Sequence, residues 1–180
     1  MNRSVWSLVP VAALAVPAPA FAARYLTAEQ AMQLAFPEAD AFAPGQVSLT
    51  SEQWRSMDRD TPARVAAREP RVWTASARGE LLGYFYLDEV LGKQLFITYS
   101  VAIGADGRVQ RVEILEYRET HGYEVRNARW RAQFTGRHAG DTLRVGGDIQ
   151  NISGATLSCV HITDGVRRVL GTVAHAVRGQ

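Results

Sequence analysis

The chain has 180 residues, a formal net charge of +2 and one cysteine, Cys159. A lone cysteine excludes an intramolecular disulfide, a c-type haem attachment and a cysteine-ligated iron–sulfur cluster within the chain. Lys93 is the only lysine, and the arginines are interleaved with carboxylates rather than clustered, so no nucleic-acid partner is expected.

The first 22 residues read as a secretory signal peptide. Arg3 gives a positive start, Val5 to Val16 is apolar apart from Ser7 and Pro10, and Ala20-Phe21-Ala22 is a small-x-small cleavage site. The apolar run is shorter than the roughly 20 residues of a spanning helix. Cleavage after Ala22 would leave 158 of the 180 residues, with a net charge of +1 after loss of Arg3, enough for one domain with its own core. A periplasmic location is the expectation.

Residues 23–70 read as a helical segment. Thr27-Ala28-Glu29-Gln30 fits a capping box, in which the threonine hydroxyl accepts an amide and the glutamine reaches back. Ala31, Leu34 and Ala35 follow until Pro37. Thr50-Ser51-Glu52-Gln53 repeats the box, with Leu49 and Trp54 spaced as a hydrophobic staple. Met57 to Pro70 is polar and arginine-rich, a loop or a ragged helix.

Residues 71–175 read as the main domain. Val72 to Ala77, Leu81 to Val90, Leu95 to Ile103 and Val109 to Glu116 are rich in β-branched and aromatic residues. Asp106-Gly107 between the last two is a hairpin signal, because the turn needs φ values that these residues tolerate. The result is an antiparallel meander. Arg118 to Arg144 is mixed and polar, although Trp130 and Phe134 stand four apart, with core packing or a cofactor wall as alternatives. Ile162, Val166, Val169, Leu170 and Val173 then mark one face of a helix, with Arg167 and Arg168 off the stripe. Strands flanked by helices make the fold α+β.

Four histidines, His121, His138, His161 and His175, lack metal-ligand spacing, and no metal is expected. Glu119 and His121 could form an acid–base pair, or simply a polar turn closed by Gly122. No nucleophile–base–oxyanion set is present, so no catalytic residue is assigned.

Ser153-Gly154-Ala155-Thr156-Leu157-Ser158 opens the last helix. Helix starts of this kind suit a phosphate, since free amides and the helix dipole favour negative charge. On these grounds alone an ordinary N-cap at Ser153 or Thr156 is the alternative. The hexapeptide resembles the flavinylation motif of the FMN-binding domain family. That family includes domains in the C subunit of the sodium-pumping NADH:quinone reductase, in the G subunit of the related Rnf complex, and in small exported proteins. Tyr99 to Val109, Val112 to Thr120, Trp130 to Gly136 and the helix through Arg168 resemble the single-domain exported members, so the likeness covers roughly Leu81 to Leu170.

The resemblance implies a covalent FMN, joined by a phosphoester to Thr156 by a separate flavin transferase. It implies a phosphate-proximal turn of Ser153, Gly154, Ala155, Leu157 and Ser158, with Glu119 and Thr120 near the flavin. It further implies an electron carrier rather than a stand-alone enzyme, with redox proteins, membrane-bound ones among them, as partners. The alternatives are a poorly flavinylated docking module of a membrane redox complex, or a periplasmic flavin-dependent reductase. Two positions depart from the pattern. Gln150 stands where many members have aspartate, with Asp148 the nearest acid, and Cys159 stands where a small or hydroxyl residue is usual.

Overall fold

The computed structural model describes residues 23–178, so the signal-peptide expectation for residues 1–22 lies outside the described residues. Six strands form one curled antiparallel sheet: β1 (Ala23–Arg24), β2 (Ala41–Gly45), β3 (Arg71–Ala77), β4 (Glu80–Leu91), β5 (Phe96–Gly104) and β6 (Val109–Tyr117). Their order across the sheet is β1-β6-β5-β4-β3-β2, a meander from β2 to β6 with the N-terminal pair of residues added beside β6. The α+β meander read from the sequence is therefore the fold.

The Asp106-Gly107 hairpin is present. β5 and β6 pair from Ile103↔Val109 to Thr98↔Glu116, and Gly107 takes φ +76° at the turn. Register shifts fall between Thr98 and Tyr99 and between Ala102 and Ile103. They leave Leu115 and Gln110 unpaired, and the first puts Ile114 and Tyr117, three apart, on one face while Leu115 packs on the other.

Helices cover both faces. Helix α1 (Ala28–Ala35) brings Ala31 and Met32, with Phe36 just beyond its end, onto Ala75, Phe85, Leu87, Ala102 and Leu115. Helix α4 (Thr156–Arg178) lies on the other face. Its Ile162, Val166, Val169, Leu170 and Val173 are buried among Val90, Ile97, Tyr99, Val101, Ile103, Val112 and Ile114. Helix α2 (Ser51–Asp60) packs on α4 and buries Trp54 and Met57. Both capping boxes form: Thr27 and Thr50 accept from the Gln30 and Gln53 amides at 3.2 Å, and the glutamine side chains return the bond.

The structure differs from the sequence reading in three places. Residues 23–70 hold the two helices but also β1 and β2, and β2 is an edge strand containing Pro44, where a missing donor costs least. The polar stretch after β6 folds as a 3₁₀ turn (Tyr123–Arg126), the short helix α3 (Ala128–Arg131) and a second 3₁₀ turn (Ala132–Phe134). Trp130 and Phe134 meet edge-to-face at 5.3 Å in the core, their buried role. Arg168, off the apolar stripe, is nevertheless 2% exposed.

Arg168 is the main buried charge. Its Nη1 donates to Asp88 Oδ2 at 3.1 Å, and its Nη2 donates to the Arg68 carbonyl. Tyr99 donates to the same Asp88 oxygen at 2.9 Å, and the guanidinium lies 5.2 Å from the Trp54 ring centroid. The pair joins β4 to α4 and to the segment after α2.

Gly165 sets how closely α4 approaches the sheet. A Cβ built there would lie 2.3 Å from Tyr99 Oη and 2.7 Å from its Cζ. In an open helix Gly→Ala gains up to about 1 kcal/mol. Here the clash should reverse the sign, with Gly165→Ala costing ~1–3 kcal/mol as overpacking does. Urea denaturation measures it, and a stabilised variant would contradict the close contact.

Candidate functional site

The hexapeptide and the segment after β6 come together at the start of α4. Gly154 (φ +85°) turns the chain, and the Ala155 amide donates to the Ile152 carbonyl at 3.0 Å. The first α-helical bond runs from the Cys159 amide to the Ala155 carbonyl at 2.9 Å. The amides of Thr156, Leu157 and Ser158 precede it and have no protein acceptor among the described residues. Such amides, at the positive end of a 23-residue helix, form an anion cradle. Neither Ser153 nor Thr156 caps them. Thr156 Oγ1 instead accepts from Asn151 Nδ2 at 3.1 Å, on an exposed side chain.

Ser158 points the other way, into the protein. It is buried, and its hydroxyl lies 2.9 Å from Tyr117 Oη. Tyr117 donates to the His121 carbonyl at 2.6 Å, so its one proton is committed and Ser158 is the donor in their shared bond. Burial pushes the Tyr117 phenol above its ordinary value, partly offset by that bond. Gly122 (φ +91°) crosses directly over this pair. A Cβ there would lie 2.6 Å from Tyr117 Oη and 2.8 Å from Ser158 Oγ, so only glycine fits. The end of β6, the turn after it and the start of α4 are thus locked together.

Between them lies an open cleft of about 230 Å³, lined by Lys93, His121, Gly122, Gly154, Ala155, Thr156, Leu157 and Ser158. Larger hollows exist elsewhere, one of about 460 Å³ between β1, the start of α1 and β3–β6, but they hold no part of the hexapeptide. Of the residues singled out in the sequence, Gly154, Ala155, Thr156, Leu157 and Ser158 line the cleft. Ser153 and Thr120 are exposed and do not line it.

Glu119 does not line the cleft. Its Oε1 accepts from the Gln94 amide at 2.5 Å and the Leu95 amide at 2.9 Å, which occupies the carboxylate in holding the β4–β5 turn. It makes no pair with His121 among the described residues. Cys159 is fully buried, and burial pushes its thiol above the ordinary value, as for a packing residue. Asp148 is held by the Leu143 and Arg144 amides at 3.0 and 2.6 Å, and those bonds, led by Arg144, pull its carboxyl below its usual value. Gln150 uses its backbone: its amide donates to Gln133 Oε1, and its carbonyl accepts from Trp130 Nε1.

Lys93, His121 and Gly122 are the cleft residues that sequence reading did not assign to the flavin. A usable signal for Lys93 was present, because the only lysine of the chain sits beside a glycine between two strands. Among the described residues no cluster of His, Cys, Asp or Glu could hold a metal ion, and no helix is long and apolar enough to cross a membrane.

The site suits FMN on its own geometry: an exposed hydroxyl, free amides beside it, and open space at Gly154, where a Cβ would meet nothing within 4 Å. No curated protein matches the chain. Residues 92–171 match the family model of the FMN-binding domain, a span that takes in the β5–β6 hairpin, the cleft and most of α4. Residues 92–171 therefore carry the FMN-binding domain, which supports FMN as the cofactor.

Proposed function

We propose that the FMN is bound covalently, through a phosphoester on the Thr156 hydroxyl, and that the protein carries electrons outside the cytoplasm. The observation that carries this reading is the position of Thr156. It is the first residue of α4, exposed, on the wall of the cleft, and flanked by amides with no acceptor among the described residues. A flavin transferase would supply activation, so the protein need offer only a reachable hydroxyl.

The FMN supplies reversible electron uptake, which the side chains lack. The chain's residues bind and orient it. The amides of Leu157 and Ser158 face the phosphate charge, and Asn151 orients the threonine hydroxyl. The Tyr117–Ser158 bond and Gly122 fix the floor on which the group rests. Exposed Leu157 and Tyr123 leave apolar surface near the mouth, suited to a planar ring or to redox partner proteins, membrane-bound ones included. A tether serves an exported carrier because free FMN lost from the periplasm would not be replaced. The pattern of Arg3, the apolar run and Ala20-Phe21-Ala22 supports export.

One experiment tests both parts. The full chain is expressed with a flavin transferase and the cells are fractionated. The periplasmic fraction should yield a chain beginning at Ala23 whose flavin fluorescence survives denaturing electrophoresis. A chain beginning at Met1 in the membrane fraction contradicts export. A chain without fluorescence contradicts covalent attachment.

A further inference from the structure

The cleft carries a charge asymmetry that the attachment reading does not use. Among the described residues Lys93 is its one fixed charge, with His121 the only other ionisable side chain, and no carboxylate lines it. Lys93 comes from the β4–β5 turn, about 60 residues from Thr156 in sequence, so the fold and not the hexapeptide delivers it.

That turn is held in place by an unusual device. The Gly92 amide donates to the Leu95 carbonyl at 2.8 Å, closing the turn. Glu119 then accepts from both the Gln94 and Leu95 amides with one oxygen. A Cβ on Gly92 would lie 2.7 Å from that same Glu119 oxygen, so the glycine is what lets the carboxylate come so close. On the other side, the His161 ring nitrogen of α4 bonds the Leu91 carbonyl. The base of the turn is thus fixed both to the strand end that leads to the cleft and to the helix that begins at Thr156.

We propose that Lys93 is the cationic contact for the bound flavin and that Glu119 is a positioning residue, clamping the β4–β5 turn so that the ammonium faces the cleft. This rests on the attachment reading above. A phosphodiester at Thr156 carries one negative charge, and reduction adds electron density to the ring. A fixed ammonium in a cleft without carboxylates favours both. Removing it weakens the hold on the reduced form more than on the oxidised form and lowers the midpoint potential. Glu119 acts on the same quantity through the turn, on top of the direct effect of its own charge.

The test uses flavinylated protein made with a transferase, with intact mass to measure loading and spectroelectrochemistry to measure potential. Lys93→Gln should remain loaded at Thr156 and lose about fivefold in preference for the reduced form. That is the upper range for an exposed ion contact, and it corresponds to a fall of about 20 mV for a two-electron couple. Lys93→Arg should restore the wild-type value, and added salt should shrink the difference.

Glu119→Gln and Glu119→Ala both remove a negative charge, but glutamine keeps the acceptor oxygen. The alanine variant should therefore have the lower potential of the two. Loaded Lys93→Gln with an unchanged potential overturns the cationic contact and leaves the attachment reading standing. Equal potentials for the two Glu119 variants overturn the clamp. A wild-type chain that takes up no covalent flavin overturns the attachment reading, and this inference with it.

Discussion

Thr156→Ala should abolish the covalent flavin completely and leave the fold intact. The hydroxyl is the proposed point of attachment, so its loss is all-or-none for the adduct. Structurally it is a small change. Thr156 is exposed and its one hydrogen bond is to the exposed Asn151 side chain, while the residues that fix the helix start, Ala155 and Ser158, are untouched. The stability cost should stay within the ~1 kcal/mol typical of a lost helix-terminal side-chain bond. Mass spectrometry should show the apo mass, and thermal melting should show a transition close to that of the unloaded wild type. Ser153 and Ser158 do not substitute. Ser153 does not line the cleft, and the Ser158 hydroxyl is buried against Tyr117. Retention of covalent flavin in Thr156→Ala would place the attachment elsewhere.

The largest stability loss is expected at Arg168. Arg168→Met removes the cation from a buried pair and leaves Asp88 with the Tyr99 hydroxyl and the Glu89 amide as its donors. Breaking a buried pair from one side typically costs ~3–5 kcal/mol. For a domain of this size that is roughly 10 °C of melting temperature.

The loss should also depend on pH, and the sign follows from the surroundings of Asp88. Burial pushes its carboxyl above the ordinary value, and the Arg168 guanidinium pulls against that. Without Arg168 the folded-state value rises further. A carboxyl raised in the folded state gives stability that is present below the unfolded value and lost as pH rises through the folded one. The gap between variant and wild type should therefore be small near pH 4 and widest at neutral pH and above, which denaturant titrations at the two ends measure. A gap that narrows as pH rises would show that Asp88 is not buried as described. Asp88→Leu combined with Arg168→Met should recover much of the loss, since an apolar pair leaves no charge unpaired.

Some of this was legible in the sequence because the physics is local. Asp106-Gly107 specifies its turn through backbone conformation, and Thr27 and Thr50 cap their helices within three residues. The α4 stripe repeats at the helical period and is buried where it should be. The hexapeptide was legible because its residues adjoin one another, and five of the six line one cleft. The rest depended on contacts distant in sequence. Asp88 and Arg168 are 80 residues apart, and each alone looks like an ordinary surface charge. β2 is five residues with a proline, a strand only because the edge of β3 is there to pair with it. Lys93 reaches the cleft through a turn held by Glu119, a bond between residues about 25 apart that the sequence does not display. The segment from Arg118 to Arg144 lacks a single period because it is built from short turns around Val125, Trp130 and Phe134.

The central claim is the site of attachment, and mapping of the flavin peptide tests it most directly. The protein is co-expressed with a flavin transferase, digested with trypsin, and the peptide between Arg144 and Arg167 is fragmented. The account predicts a peptide heavier by one FMN less one water, with the added mass on Thr156. An unmodified peptide, or an adduct on Ser153 or Ser158, would contradict it.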